Sequence, residues 1–464
     1  MDLIPENRKR GAGPRASAPL KRTASLDKLK TEAERGSMTN AEPQRFLNQS
    51  EKPTRKHYLI LGLAWAGWLF DFYDLMLFSF LLIPIKKTFA LNDASLSLLL
   101  GSTLAATALG GILFGYLADR IGRKAVLSWT ILIYSMGSFA CGFAGSVWGL
   151  LVFRVVTGLG VGGEWAAGQT LVGETFPART RARFAAVMQT GAPLGIALAS
   201  IVGGFVEPAF LRMFGEEWGW RGCFFLSVLP ALLIVIIRRS MPESDVWLHH
   251  RRGPKAASGG QWSTLLGDSR LRRLFLFGLV LALTDMSAYW FTYTWLPKYL
   301  YDNLGFSMAK SGLWMLATQA GGFLGYLTFG MVADWKGRRV AYTAFSLVWG
   351  GGLLAVTWFW KTIALWPGLT LVFMFLVGFG TGNFSGYGPI FSEIFPTQVR
   401  NTAMGAAFNL ARGVQFFTPL IITTIAARYG LGGGISLAAF FAVATGLWVW
   451  TLPETRGTRI AADS

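Results

Sequence analysis

An all-α integral membrane protein, with twelve transmembrane helices in two pseudo-symmetric six-helix bundles, is the fold class this sequence predicts. Three observations carry the prediction. First, about twelve apolar runs are long enough to cross roughly 30 Å of hydrocarbon, near 58–85, 95–118, 125–145, 147–170, 184–206, 220–237, 273–298, 309–332, 340–360, 365–388, 402–426 and 431–451. Second, Gly115-Tyr-Leu-Ala-Asp119-Arg120-Ile-Gly122-Arg123-Lys124, between the second and third runs, returns as Gly330-Met-Val-Ala-Asp334-Trp-Lys-Gly337-Arg338-Arg339 between the eighth and ninth. Third, a polar stretch near 238–271 divides the runs six and six. A charged glycine hinge repeated in each half suits a protein whose halves rock against each other.

The composition agrees. Of 464 residues, 52% are hydrophobic and 15% charged, which excludes an ordinary soluble domain. The 56 glycines suit helices that must approach closely in lipid. Trp148, Trp218, Trp360 and Trp366 fall at segment ends, where indole rings anchor in the interface. The net charge of +18 does not point to nucleic acid, because most of the Lys and Arg residues lie in turns on one side of the predicted membrane. By the positive-inside rule both termini are cytoplasmic. Cys141 and Cys223 fall near opposite ends of apolar segments and read as packing residues.

Taken in order, residues 1–57 are basic and rich in Ser, Pro and Gly, and are expected to be a disordered cytoplasmic segment, with Met38 a candidate start. The first bundle is expected over 58–240, a cytoplasmic linker over 241–271, the second bundle over 272–453 and a short tail over 454–464. Further echoes support duplication. Glu174-Thr-Phe-Pro177-Ala-Arg-Thr-Arg181 matches Glu393-Ile-Phe-Pro396-Thr-Gln-Val-Arg400, and Pro242-Glu243-Ser244 matches Pro453-Glu454-Thr455.

Polar residues inside the spans are the candidates for chemistry, since ionisable groups in hydrocarbon are expensive without a task. Asp71 and Asp74 lie one helical turn apart in the first span. Burial and like charge both disfavour ionising the two together, so one can hold a transferable proton; the alternative is a structural carboxylate neutralised by an arginine. Arg154 in the fourth span should pair with one of them, for architecture or for coupling, and Glu164 follows about 15 Å along the same helix. Asp285, near where the duplication places Asp71, is a second proton-site candidate, with Tyr289 and Thr292 on its face. The eleventh span carries Asn409, Arg412 and Gln415 as a polar stripe. A guanidinium there can hold a substrate carboxylate through two parallel hydrogen bonds. Gln189, Gln319 and Asn383 could add neutral hydrogen bonds, though a lone amide in a span is more often an interhelical packing bond. The three histidines, His57, His249 and His250, lie at span ends or in the linker and do not form a relay. No phosphate loop, metal cluster or nucleophile–base arrangement is evident, so no enzyme, cofactor or metal is predicted.

The paired hinge motif and twelve-span layout resemble the major facilitator superfamily over residues 58–456. That resemblance implies gating by Gly115, Asp119, Arg120, Gly122, Arg123, Glu174, Asp334, Arg338, Glu393 and Arg400, with the hinge aspartate on a helix amino terminus of the opposite bundle. Asp71-Phe-Tyr-Asp74 is similar to the Asp-Gly-Phe-Asp element of aromatic acid:proton symporters, with Phe72 in place of glycine. Arg154 before Gly158-Leu-Gly160-Val-Gly162 resembles the superfamily's proton-coupling motif. Gly158 to Trp165 and the closing Pro453-Glu-Thr look like the metabolite:proton and sialate:proton branches. The lactate-carrier motif in the seventh span is absent except for Asp285, and the paired glutamines of sugar porters are absent too. The resemblance implies a multi-pass plasma-membrane monomer driven by the proton gradient, moving a small organic acid such as a monocarboxylate, aromatic acid or sialate-like compound with a proton. A sugar or drug carrier, or a non-transporting nutrient sensor, is the alternative. Asp71, Asp74, Arg154, Glu164 and Asp285 would couple the proton; Arg412, Gln189, Asn409, Gln415, Gln319, Asn383 and Tyr289 would bind the substrate.

Overall fold

Chain entry into the first span is fixed at Thr54, whose N–H donates to His57 Nδ1 at 2.9 Å and so ties down the first turn of the helix that follows. The computed structural model describes residues 46–460 except 253–259, 305–307 and 364. Most of the expected amino-terminal segment, part of the linker and residues 461–464 of the tail therefore lie outside the described residues.

The first half contains α1 (Arg55–Phe80), α2 (Asp93–Ile121), α3 (Arg123–Cys141), α4 (Val147–Thr175), α5 (Arg181–Phe214) and α6 (Glu216–Ser240). Asn92 caps α2 by accepting from Ser95 N at 2.8 Å, and Ser146 caps α4 by accepting from Gly149 N at 3.1 Å. After two short linker helices, Asp245–Arg252 and Gln261–Gly267, come α7 (Ser269–Leu304), α8 (Met308–Lys336), α9 (Arg338–Trp358) and α10 (Gly368–Ile394). The next helix, α11, starts as Arg400–Val414 and runs on to Gly430, whose φ of 73° ends it; α12 (Gly432–Thr451) follows. Among the described residues ten of these are long and apolar enough to cross a membrane. The two not among them are α8, diluted by Gln319 and several glycines, and α11, whose first half carries Asn401, Asn409 and Arg412.

Packing repeats between the halves. Helix α2 packs on α4 as α8 does on α10, α3 on α4 as α9 on α10, and α1 on α5 as α7 on α11. The seam is made by α2 against α11 and α5 against α8. Gly115 shows how close the first approach is: a Cβ there would lie 2.6 Å from the Asn401 carbonyl oxygen. At the two hinges Gly122 and Gly337 have φ of 104° and 106°, a left-handed backbone that other residues avoid. Gly122 and Gly337 are thus glycines for backbone reasons. Near mid-seam Trp165 of α4 stacks on Phe408 of α11, 3.8 Å between ring centroids.

Candidate functional site

Two polar constellations stand out: a latch at the end where the hinges meet, and a group around a central cavity. In the latch, the Asp119 carboxylate at the end of α2 accepts from Asn401 N at 3.1 Å, Thr402 N at 2.8 Å and Thr402 Oγ1 at 2.8 Å. The two N–H groups are free donors of the first turn of α11, where the helix dipole favours an anion. Arg123 pairs with Asp119 at 3.2 Å and with Glu174 at 3.0 Å, and Glu174 also pairs with Arg400. The second half repeats the arrangement with the roles exchanged. Asp334 accepts from Ala182 N and Arg183 N at 3.3 and 3.1 Å; Arg338 pairs with Asp334 at 3.1 Å and Glu393 at 3.0 Å; Arg181 pairs with Glu393 at 2.8 Å. Each glutamate joins one arginine of its own half to one of the other half.

Behind the latch, Glu243 accepts from Arg123 N and Lys124 N, and Glu454 accepts from Arg338 N and Arg339 N. Each closes the amino terminus of the helix after its hinge. Burial pushes the Glu243 carboxyl above its ordinary value, against hydrogen bonds from Ser244 and Lys124 and the charge of Arg123. Burial also acts on Glu454, but the N–H groups of Arg338, Arg339, Arg456 and Thr455 hold it below its ordinary value.

The central cavity lies between the halves. Its walls include Trp68, Phe72, Tyr289, Trp290, Phe384 and Phe408, with Gln189 and Arg412 as polar members. The Arg412 guanidinium sits over Phe408 at 5.1 Å, and its Nη1 has no hydrogen-bond partner among the described residues. Trp68 Nε1 is buried without a partner as well. The Gln189 oxygen already accepts from Trp165 Nε1 and Gln169 Nε2, so only its NH₂ is left to serve the cavity. The unused polar capacity of these three side chains is therefore donor capacity, which suits an anion.

Asp71 and Glu164 are fully buried, and none of their four carboxylate oxygens has a hydrogen-bond partner among the described residues. Both lie within electrostatic reach of Arg412. Asp74 differs: Arg154 Nη1 donates to it at 3.2 Å, while Arg154 Nε donates to Thr103 Oγ1 at 3.3 Å and the guanidinium lies over Phe78 at 4.4 Å. In the other half Asp285 accepts from Asn383 Nδ2 and Tyr387 OH, both at 2.7 Å, and no cation pairs with it among the described residues.

The sequence pattern that defines the Major Facilitator Superfamily matches residues 63–419. This chain belongs to that superfamily. Like its other members it is a multi-pass membrane transporter of small organic substrates and not an enzyme. It is 32% identical over 402 residues, 86% of this chain and 90% of the relative, to a probable 4-methylmuconolactone transporter of Cupriavidus pinatubonensis. It is 31% identical over 392 residues, 83% of this chain and 91% of the relative, to a sialic acid transporter of Escherichia coli. A superfamily proton:xylose symporter solved with 6-bromo-6-deoxy-D-glucose shares the fold at a TM-score of 0.72 and 22% identity, covering 87% of this chain and 97% of the other.

The substrate-site candidates of this superfamily member fall into two groups. Arg412, Gln189 and Tyr289 line the cavity. Asn409, Gln415, Asn383 and Gln319 do not. Asn409 Nδ2 is spent on the Gly162 and Gly405 carbonyls, Gln415 Nε2 on Ser287 and Ala411, and Asn383 Nδ2 on Asp285 and Ser346. Arg120 is exposed, lying over the Tyr116 ring, and takes no part in the latch. Arg181, which is not among the candidates, is also a latch residue through its pair with Glu393. Its signal was its place opposite Arg400 in the repeat. The aromatic walls carried no signal, because aromatic residues occur throughout the spans.

Proposed function

We propose that this transporter takes up a small organic anion together with a proton by alternating access, working as a monomer in the plasma membrane with both termini in the cytoplasm. The observation that carries the proposal is the buried Arg412, with an unpartnered Nη1 on an aromatic cavity and two unpartnered carboxylates within its field. A substrate carboxylate would take the free face of the guanidinium, with the Gln189 NH₂ and the Tyr289 hydroxyl as further donors. Aromatic walls suit a small, mostly apolar body. Relatives named for 4-methylmuconolactone and for sialic acid fit an organic-acid substrate.

Asp71, Glu164 and Asp285 are the proton carriers in this reading, and the Asp74–Arg154 pair holds α1 against α4. Bundles 58–240 and 272–453 move as the two bodies, joined by the linker 241–271. The latch residues Asp119, Arg123, Glu174, Asp334, Arg338, Glu393 and Arg400 close the basic, cytoplasmic end, with Gly115 and Gly122 allowing the close fit. The test is uptake of labelled monocarboxylates, aromatic acids and sialic acid into proteoliposomes under an inward proton gradient. One of these acids should enter, and Arg412→Ala should abolish its entry with the protein still folded. Undiminished uptake by Arg412→Ala removes Arg412 from the site.

A further inference from the structure

Glu164 is placed by a bare patch on α1. A Cβ built on Gly67 would lie 2.5 Å from Glu164 Oε1, so the carboxyl group rests where only glycine leaves room. Gly67 is one helical turn before Asp71, on the same face of α1. The Glu164 carboxyl therefore sits beside the track that carries Asp71, although the two residues come from different helices.

Charge balance then limits what this region can hold. The groups facing the two carboxyls are Arg412 from α11, the Tyr134 hydroxyl from α3, and the Asp74–Arg154 pair, which is neutral as a unit. Tyr289 from α7 faces Arg412. One guanidinium balances one carboxylate. A second uncompensated carboxylate, buried and without a hydrogen-bond partner among the described residues, is strongly unfavourable in a low-dielectric interior.

We infer that Asp71 and Glu164 work as one carboxyl pair holding a single proton between them against Arg412, with Gly67 as the positioning residue that keeps Glu164 beside Asp71. The pair has one negative charge when the cavity is empty. Resting on the proposed function, the inference also sets the coupling: a substrate monocarboxylate arriving at Arg412 displaces the pair's remaining charge, and that carboxylate takes up one proton. One monoanion and one proton then move together without net charge.

The resting pair is tested without any substrate, by infrared difference spectroscopy of the purified full chain in lipid at neutral pH. The protonated-carboxyl C=O band of the pair should disappear in Asp71→Asn and equally in Glu164→Gln, because either remaining carboxyl then ionises against Arg412. Gly67→Ala should shift the band by displacing Glu164, whereas Gly62→Ala, whose Cβ would meet nothing within 4 Å, should not. A band lost in only one of the two carboxyl variants, or in neither, overturns the shared proton. If the band behaves as expected but no organic acid drives proton entry, the pair stands and the symport reading falls. If symport is found but uptake of a monocarboxylate responds to membrane potential at fixed pH gradient, the one-to-one coupling falls.

Discussion

Glu174 of the first half and Glu393 of the second stand in equivalent places, each ion-paired with an arginine from its own half and an arginine from the other. All six side chains are buried. Removing one partner of a buried ion pair costs about 3–5 kcal/mol, because the other charge is left unbalanced. For this end to open by the proposed alternating access, two such bridges and the contacts of Asp119 and Asp334 with opposing helix termini would have to break together.

The latch should therefore open locally when its caps are removed. Asp119→Asn should raise amide exchange at Asn401 and Thr402, whose N–H groups it accepts. Asp334→Asn should do the same at Ala182 and Arg183. Unchanged protection in both variants would show that the caps do not hold the latch.

Close approach at the seam gives a steric prediction. Gly115→Val should block the closed state, since its Cβ would meet the Asn401 carbonyl oxygen at 2.6 Å, and uptake should fall more than tenfold. Gly62→Ala, facing open space, should leave uptake intact. Equal activity in the two variants would contradict the assigned contact.

Asp74 and Asp71 should separate in experiment. Arg154→Gln should destabilise the protein by about 3–5 kcal/mol by orphaning Asp74, and Asp74→Asn added to it should recover much of that loss. A thermal-denaturation double-mutant cycle reads the coupling. Additive losses would mean that the 3.2 Å pair contributes nothing specific.

Acid should loosen the second hinge in a defined sense. The Glu454 carboxyl is held below its ordinary value near 4.5, so its ionised form contributes stability above that value, and the contribution is lost as pH falls through the lowered folded value. Stability curves of wild type and Glu454→Gln should converge on acidification. Divergence toward low pH would reverse the sign and reject the cap.

Much of this arrangement was legible in the sequence, for reasons specific to each residue. The hinge repeat fixed Asp119, Arg123, Asp334 and Arg338 because their chemistry is local: a positive-φ glycine, a carboxylate and an arginine one turn on. The fold class followed from the length and number of apolar runs, ten of which are long and apolar enough among the described residues to cross a membrane. Asn409, Gln415 and Asn383 were not separable from Arg412 in one dimension. Whether an amide is free or spent depends on carbonyls and side chains far away in sequence, such as Gly162 for Asn409 and Asp285 for Asn383. The juxtaposition of Glu164 with Gly67 and Asp71 depends on the register of α4 against α1, which no pattern within either helix encodes.

The central claim is that a carboxylate held near Arg412 moves with a proton carried by Asp71 and its partners. The most direct measurement is internal pH in proteoliposomes of the purified chain while monocarboxylates, aromatic acids, sialic acid and sugars are added in turn. Internal acidification with an organic acid, lost in Asp71→Asn, is the expected result. Silence with every acid while a labelled sugar still enters, or undiminished acidification in Asp71→Asn, would contradict it.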